Sequence, residues 1–230
     1  MNSAVDALDL PCRPAFRARK VARMASEGRA PGLGDDDAAL MQAYAAGDLR
    51  AFERLYARHK GPLYRYLLRH TRDRALADDL FQEVWAKLIA ARSRYESRAK
   101  FQTFLFTLAH NAFIDHCRRA SVRPVAVAQL GNAEDDDPES AHERLPAPER
   151  EQPEQRAEQA QVRAALRSAL DALPPEQRDV FLLYEEGGLS LEDIASVTGV
   201  GAETAKSRLR YAVAKLRTAM APMAKEERRA

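Results

Sequence analysis

Residues 188–217 read GLSLEDIASVTGVGAETAKSRLRYAVAKLR, and their pattern decides the fold of the C-terminal half. Ser190 is a strong helix N-cap, with Asp193 at the third helical position, close to a reciprocal capping box. Leu191, Ile194 and Ala195 face inward from the helix that follows, and Val197 and Val200 can close a small core. Gly199 stands where the chain must turn sharply, because glycine takes positive φ without a Cβ penalty. A second helix is predicted from about Ala202 to Leu216, with Ala205, Leu209, Ala212 and Leu216 as its inner stripe. The other face carries Glu203, Lys206, Ser207, Arg210 and Tyr211, with Arg208 and Lys215 beside them. A basic exposed face alone is as often an ordinary solvated surface. Joined to a Ser cap and a glycine turn, it suits a helix-turn-helix whose second helix enters a DNA major groove. Lys and Arg there bond guanine edges or phosphates, and Ser adapts to either.

Outward from this motif the chain divides by composition. Residues 159–220 form one helical block, in which Val162, Leu166, Leu170 and Leu173 share a face that ends at Pro174-Pro175. Residues 221–230 are expected to fray. Upstream, 121–158 changes character: from Glu134 to Glu158 there are ten acidic residues against three arginines, a net charge of −7, with four prolines. Such a run buries too little apolar surface to offset its ordering entropy, and reads as an acidic flexible linker. Residues 1–34, rich in Arg, Ala, Gly and Pro, read as a disordered tail.

Residues 35–120 read as a helical bundle. Phe52, Leu55, Tyr56 and His59 follow one helix face, and Leu63, Tyr64, Leu67 and Leu68 repeat the pattern after Gly61-Pro62, which reads as a break between helices. Leu80, Phe81, Val84, Trp85, Leu88 and Ile89 make a third stripe; Phe101, Phe104, Leu105, Leu108 and Ala112 make a fourth. No two-residue alternation competes. The expected fold class is therefore all-α: two small helical domains joined by the acidic linker.

Composition narrows the function. The 230 residues are 46% hydrophobic and 30% charged, with a net charge of only +2 that averages over segments of opposite sign. No apolar run of about 18 residues exists, so no membrane-spanning helix is expected, and the arginine-broken N-terminus lacks a secretory pattern; a cytoplasmic protein is expected. Two cysteines, Cys12 and Cys117, do not make a disulfide framework. His110, His116 and Cys117 lack the four-ligand spacing of a zinc site, so neither metal nor cofactor is expected.

Two further constellations lie in the first block. Asp78, Asp79, Gln82 and Glu83 span an arc of about 140° at 100° per residue, opposite the Leu80/Phe81/Val84/Trp85 stripe. Nothing apolar surrounds these carboxylates to tune them for acid–base chemistry. An acidic patch meeting a basic partner is the better functional reading, beside the plain one of a solvated face. On the next helix Asn111, Asp115 and Arg118 fall at i, i+4 and i+7, after a basic and polar loop that includes Arg98 and Lys100. Single-stranded DNA wants a positive track with planes for unstacked bases, although Phe101, Phe104 and Phe106 at helical spacing are more often core. From the residues alone, a regulator that binds DNA unaided remains an alternative; it calls for a ligand pocket or dimer helix in the N-terminal half.

The segments GDLRAFERLYARH (47–59), ADDLFQEVWAKLI (77–89), FLFTLAHNAFIDHCRR (104–119) and LPPEQRDVFLLYEEGG (173–188), continued by the motif above, occur in this order. Together they resemble the extracytoplasmic-function class of bacterial sigma factors, over about residues 36–120 and 160–218. The resemblance implies a non-enzymatic initiation factor with core RNA polymerase (largest-subunit clamp helices and flap), promoter DNA and an anti-sigma protein as partners. It implies polymerase binding by Asp78, Asp79, Gln82 and Glu83. It implies −10 contacts by Arg98, Lys100, Asn111, Asp115, Arg118 and Arg119, with Asn111 at the base-capturing position and 95–103 shaping the pocket. It implies −35 contacts by Glu203, Lys206, Ser207, Arg210 and Tyr211. The sequence departs from the family at Phe104, where Trp is frequent, at His110, where Arg is frequent, at Gly201, which replaces Ser or Pro, and at Ala205, which replaces Val.

Overall fold

Short acidic and hydroxyl side chains cap the starts of three of the described helices. The computed structural model describes residues 33–95, 99–122 and 153–226. The tail 1–32, Arg98 with its two preceding neighbours, and most of the acidic linker lie outside the described residues. The elements are α1 (Leu33–Ala45), α2 (Leu49–Thr71), α3 (Arg74–Ala91), a 3₁₀ turn (Arg92–Arg94), α4 (Phe101–Val122), α5 (Pro153–Asp171), α6 (Pro175–Glu185), α7 (Leu191–Thr198) and α8 (Ala202–Glu226). Every regular element among the described residues is helical. Asp48 opens α2 by accepting from the Arg50 and Ala51 amides at 2.9 and 3.4 Å. Asp73 does the same for α3, accepting from Ala75 and Leu76 at 2.9 and 3.3 Å. These bonds satisfy amides that the first helical turn leaves without partners.

The four N-terminal helices enclose an aromatic core. Tyr64, Tyr66, Phe101 and Phe106 are fully buried, and Trp85 and Phe81 nearly so. Phe52 meets Trp85 edge-on at 5.8 Å, and Tyr64 meets Phe81 edge-on at 5.7 Å, the geometry ring quadrupoles favour. Phe101 and Phe106 are therefore core residues, and Phe104 packs edge-on against Tyr95 at 5.4 Å, so the planes considered for DNA bases are largely occupied by protein. α1 is fastened by Asp37, which accepts from Arg58 at 2.6 Å and contacts His59 Nε2 at 2.8 Å. Burial raises its pKa, yet these two partners outweigh that and hold it below the ordinary carboxylate value.

The expected break at Gly61-Pro62 is corrected: Pro62 lies inside α2. Proline forfeits one backbone bond and crowds the preceding turn, at a cost of roughly 3 kcal/mol. The apolar stripe stays in phase across it, since Leu55, His59, Leu63, Tyr66, Leu67 and His70 are all buried, and that packing outweighs the local loss. α5 starts at Pro153, within the stretch 121–158 read as linker; proline with its fixed φ suits the first helical position. α8 runs on to Glu226 rather than stopping near Leu216 or 220; the extension is rich in Ala, Met, Lys and Glu, which favour helix, and it passes through Pro222, which does not.

In the C-terminal half, α7 carries the complete capping box expected of it. Ser190 Oγ accepts from the Asp193 amide at 3.2 Å, and Asp193 accepts from the Ser190 amide at 3.2 Å. Gly199 ends the helix in the left-handed region at φ 68°. Val180, Leu182, Leu183, Ile194, Val197 and Ala205 are buried on the same continuous core as the aromatics of α1–α4, while Leu170, Leu173, Ala212 and Leu216 form a smaller cluster.

Two glycine substitutions separate backbone strain from collision. A Cβ on Gly199 meets nothing within 4 Å, so Gly199→Ala should cost only the left-handed penalty, about 1–2 kcal/mol. A Cβ on Gly187 would collide with the Leu183 carbonyl oxygen, so Gly187→Ala should cost clearly more. Urea denaturation of both variants checks the order, and equal midpoints would contradict it.

Candidate functional site

Helix α8 presents its uncovered face through the packing of the opposite one. Ala205, Ala212 and Leu216 are buried, with Leu209 half-buried, and this fixes Glu203, Lys206, Arg210 and Tyr211 outward, all exposed, with Ser207 half-exposed. Tyr211 is 52% exposed, large for an aromatic ring, and the Arg210 guanidinium lies 5.1 Å from its centroid. Lys206 is 3.8 Å from Glu203, a loose surface pair worth little. Ser207 Oγ donates to the Thr204 carbonyl at 2.9 Å, which leaves its lone pairs available. All five −35 candidates thus share one accessible surface.

The acidic patch on α3 is less uniform than its helical arc suggests. Asp79 and Gln82 are exposed, whereas Asp78 and Glu83 are half-buried. Asp78 faces the Tyr64 hydroxyl, and burial together with that carboxylate raises the tyrosine pKa. Glu83 holds Lys87 at 2.7 Å, one turn on. Asp79 and Gln82 are the freest members of the patch. On α4, Asn111, Asp115, Arg118 and Arg119 are all exposed, and Arg118 and Arg119 both bond back to Asp115, at 3.4 and 3.2 Å. Lys100 is separated from this stripe: its ammonium is 3.1 Å from Asp193 on α7. Among the described residues no group of three His, Cys, Asp or Glu side chains could hold a metal ion, and no helix is long and apolar enough to cross a membrane. Cys117 is a free, exposed thiol.

Two family models match in the expected order: Sigma-70 region 2 over residues 55–123 and Sigma-70 region 4 over residues 163–216. The chain is 32% identical to the RNA polymerase sigma factor CarQ of Myxococcus xanthus over 184 residues, covering 77% of this chain and 93% of the relative. It is 32% identical to the ECF RNA polymerase sigma factor SigL of Mycobacterium tuberculosis, covering 75% and 90%. The chain belongs to the extracytoplasmic-function class of RNA polymerase sigma factors. Among solved structures it shares the fold of CnrH in its complex with the cytosolic domain of CnrY (TM-score 0.57, 23% identity, 82% of this chain and 99% of that one). The sigma factor RpoE of Bartonella quintana, solved with the anti-sigma factor NepR, is similar at TM-score 0.57 and 22% identity, over 75% and 98%. As a sigma factor the chain binds core RNA polymerase and directs promoter-specific transcription initiation.

The sequence does not disclose the seam along which this sigma factor's two domains meet. α4 packs on α7, and α2 on α6. Asp179 of α6 accepts from Tyr66 at 2.9 Å and lies 3.2 Å from His70 Nε2 and 3.1 Å from His110 Nδ1. Glu186 takes Arg65 and Arg69 on separate oxygens, each at 2.7 Å. Asp171 holds Arg72 at 2.7 Å, and Asp193 accepts from Thr103 at 3.0 Å as well as from Lys100. These partners stand far apart in sequence, and no periodicity links them. His110, whose neighbours His116 and Cys117 raise the question of a metal, is a partner of Asp179. Only the clustering of acidic residues over 171–193 hints at this seam.

Acid should loosen this structure, and the sign follows from two depressed pKa values. Burial pushes Asp179 up, but the contacts to His110 and His70 outweigh it and hold the carboxyl well below the ordinary range. Its stabilisation is therefore complete above about pH 4 and declines as pH falls further. Burial holds His70 below its ordinary value against the pull of Asp179, so the unfolded chain takes up that proton first and stability declines below about pH 6.5. The urea midpoint should fall from pH 7 towards pH 4, and His70→Gln should flatten the upper part of that slope. A pH-independent midpoint would contradict both assignments.

Proposed function

We propose that this sigma factor docks on the clamp helices of the largest polymerase subunit through Asp78, Asp79, Gln82 and Glu83. On the same reading it opens and reads the −10 element through Lys100, Asn111, Asp115, Arg118 and Arg119, with Arg98 in the neighbouring loop. It reads the −35 element as duplex DNA through Glu203, Lys206, Ser207, Arg210 and Tyr211. The observation that carries this is the uncovered face of α8, displayed by a helix-turn-helix with a complete cap and a glycine turn. The two DNA-binding units are individually weak. Placed on polymerase they bind bivalently, which raises effective concentration and demands the correct element spacing. Unstacking and flipping a base costs about a few kcal/mol, offset by holding the extruded base at Asn111.

In this role the chain performs no chemistry itself and acts in the cytoplasm beside the polymerase, whose flap is a second contact. A restraining anti-sigma partner belongs to the same reading, supported by the fold shared with RpoE, which was solved with the anti-sigma factor NepR bound.

Asp79→Arg with Glu83→Arg should abolish retention of core polymerase in a pull-down while leaving helical circular dichroism intact, because Asp79 is exposed and Glu83, half-buried, contacts only Lys87 one turn on. Undiminished retention would remove the patch from the polymerase interface. Lys206→Ala and Arg210→Ala should each lower −35-dependent run-off transcription by about tenfold, in line with the 1–3 kcal/mol of a good base contact. Unchanged transcripts would make that face merely structural. Gel-shift titration should show weak promoter binding by the free chain and tight binding once core polymerase is added.

A further inference from the structure

The antiparallel pair of α2 and α3 leaves part of its apolar seam uncovered. Phe52 and Tyr56 of α2 meet the Trp85 indole of α3 at 5.8 and 4.9 Å, and both rings stay half-buried. Leu49, one turn before Phe52, is 66% exposed, and Ile89, one turn after Trp85, is 42% exposed. Two of the five large apolar side chains exposed among the described residues thus stand at one end of a single helix pair. Beneath them Trp85 is buried, and its Nε1–H has no acceptor among the described residues, a costly state for a donor out of water. Between Asp78 and Ala91, α3 flanks this groove with three acids, Asp78, Asp79 and Glu83, against one base, Lys87. Lys60 lies 6.0 Å from the Tyr56 ring centroid and bounds the groove on the α2 side.

An apolar groove with an acidic flank fits a chain that interleaves apolar and basic side chains, and this protein carries one. Residues 13–24 read RPAFRARKVARM, five basic residues and no acidic one, with Phe16, Val21 and Met24 among them. The segment is also within reach. Arg58 of α2 holds Asp36 and Asp37 at 2.6 Å each, so α1 begins near the level of Arg58. That level is about 14 Å along α2 from Leu49 at 1.5 Å per residue, and residues 25–32, extended, span up to about 28 Å. So short a tether gives a millimolar effective concentration. A contact too weak to hold a separate molecule is then populated within one chain.

We infer that residues 13–24 of this same chain are the occupant of the α2–α3 groove. Phe16, Val21 and Met24 cover its apolar floor, and the arginines with Lys20 meet Asp79 and Glu83. A backbone carbonyl of the segment supplies the acceptor that Trp85 lacks. The ionic half of this contact is at the surface, so added salt releases the segment by screening. One consequence rests on the polymerase-binding role proposed above for the acidic face of α3. There the segment and polymerase compete for the same carboxylates, and apparent affinity for polymerase scales with the uncovered fraction.

Trp85 is the only tryptophan in the chain, and Cys12 borders the segment. The full chain with Cys117→Ser and a dye on Cys12 therefore reads the contact by energy transfer from the indole. Transfer should be high at low salt and fall as salt rises. Arg17→Glu with Arg19→Glu, Lys20→Glu and Arg23→Glu should lower it, and Asp79→Arg with Glu83→Arg in that background should restore it. All four reversed positions precede α1, so the helical core is unaltered. Phe16→Ala should lower transfer too, which separates seating in the groove from charge attraction alone. Without the dye, the fourfold reversal should raise affinity for core polymerase about threefold, as expected if the groove is free in about a third of chains. Transfer that ignores salt and charge reversal overturns the docking, and transfer that ignores Phe16→Ala overturns the groove as its seat. A reversal whose one effect is weaker binding to duplex DNA also overturns it, since the segment then serves the polyanion. Reduced transfer with unchanged polymerase affinity keeps the segment in the groove and removes the acidic face from the polymerase interface.

Discussion

Asp179 lies where α2, α4 and α6 converge, and a carboxylate in that position is tolerable only when its charge is met from several sides. Tyr66 donates to one oxygen, His70 lies against that same oxygen, and His110 lies against the other. The two helices of the first domain that supply these groups are thereby fixed relative to α6 of the second. Asp171 at the end of α5, Glu186 just past α6 and Asp193 on α7 add further pairs to the same two helices of the first domain or their ends. Removing one partner of such a buried group leaves an uncompensated charge, which is costlier than the pair is favourable.

The surfaces proposed to meet polymerase and promoter DNA are what this packing leaves out. Among its described residues α8 buries Ala205, Ala212 and Leu216 and leaves Lys206, Arg210 and Tyr211 at the surface. α3 buries Leu80, Val84, Trp85 and Leu88 and leaves an acidic flank. Opposite signs on the two exposed faces suit partners of opposite charge, a basic protein surface for one and a polyanion for the other.

The helix-turn-helix is legible in the sequence because its determinants are local. Ser190, Asp193 and Gly199 act within three or four residues of themselves, and the structure holds each where the spacing puts it. Pro62 misleads for the same reason: its local signal is to break a helix, but the buried stripe from Leu55 to His70 is a property of the whole bundle and prevails. Phe101 and Phe106 are core, as their spacing favours, since rings at helical intervals are chiefly a packing signal. The domain seam is illegible. Arg65 and Glu186 stand 121 positions apart, Lys100 and Asp193 stand 93 apart, and charged residues on amphipathic helices look alike whether they face solvent or a second domain. Asp78 belongs with them, since nothing in its spacing shows that it would face Tyr64.

One oxygen of Asp193 receives the Ser190 amide, the Ser190 hydroxyl and the Lys100 ammonium. The start of the first helix of the DNA-binding motif and the grip between domains therefore share an atom. Replacing this aspartate would disturb both at once, whereas Arg65, Arg69 and Glu186 grip between domains without touching the cap.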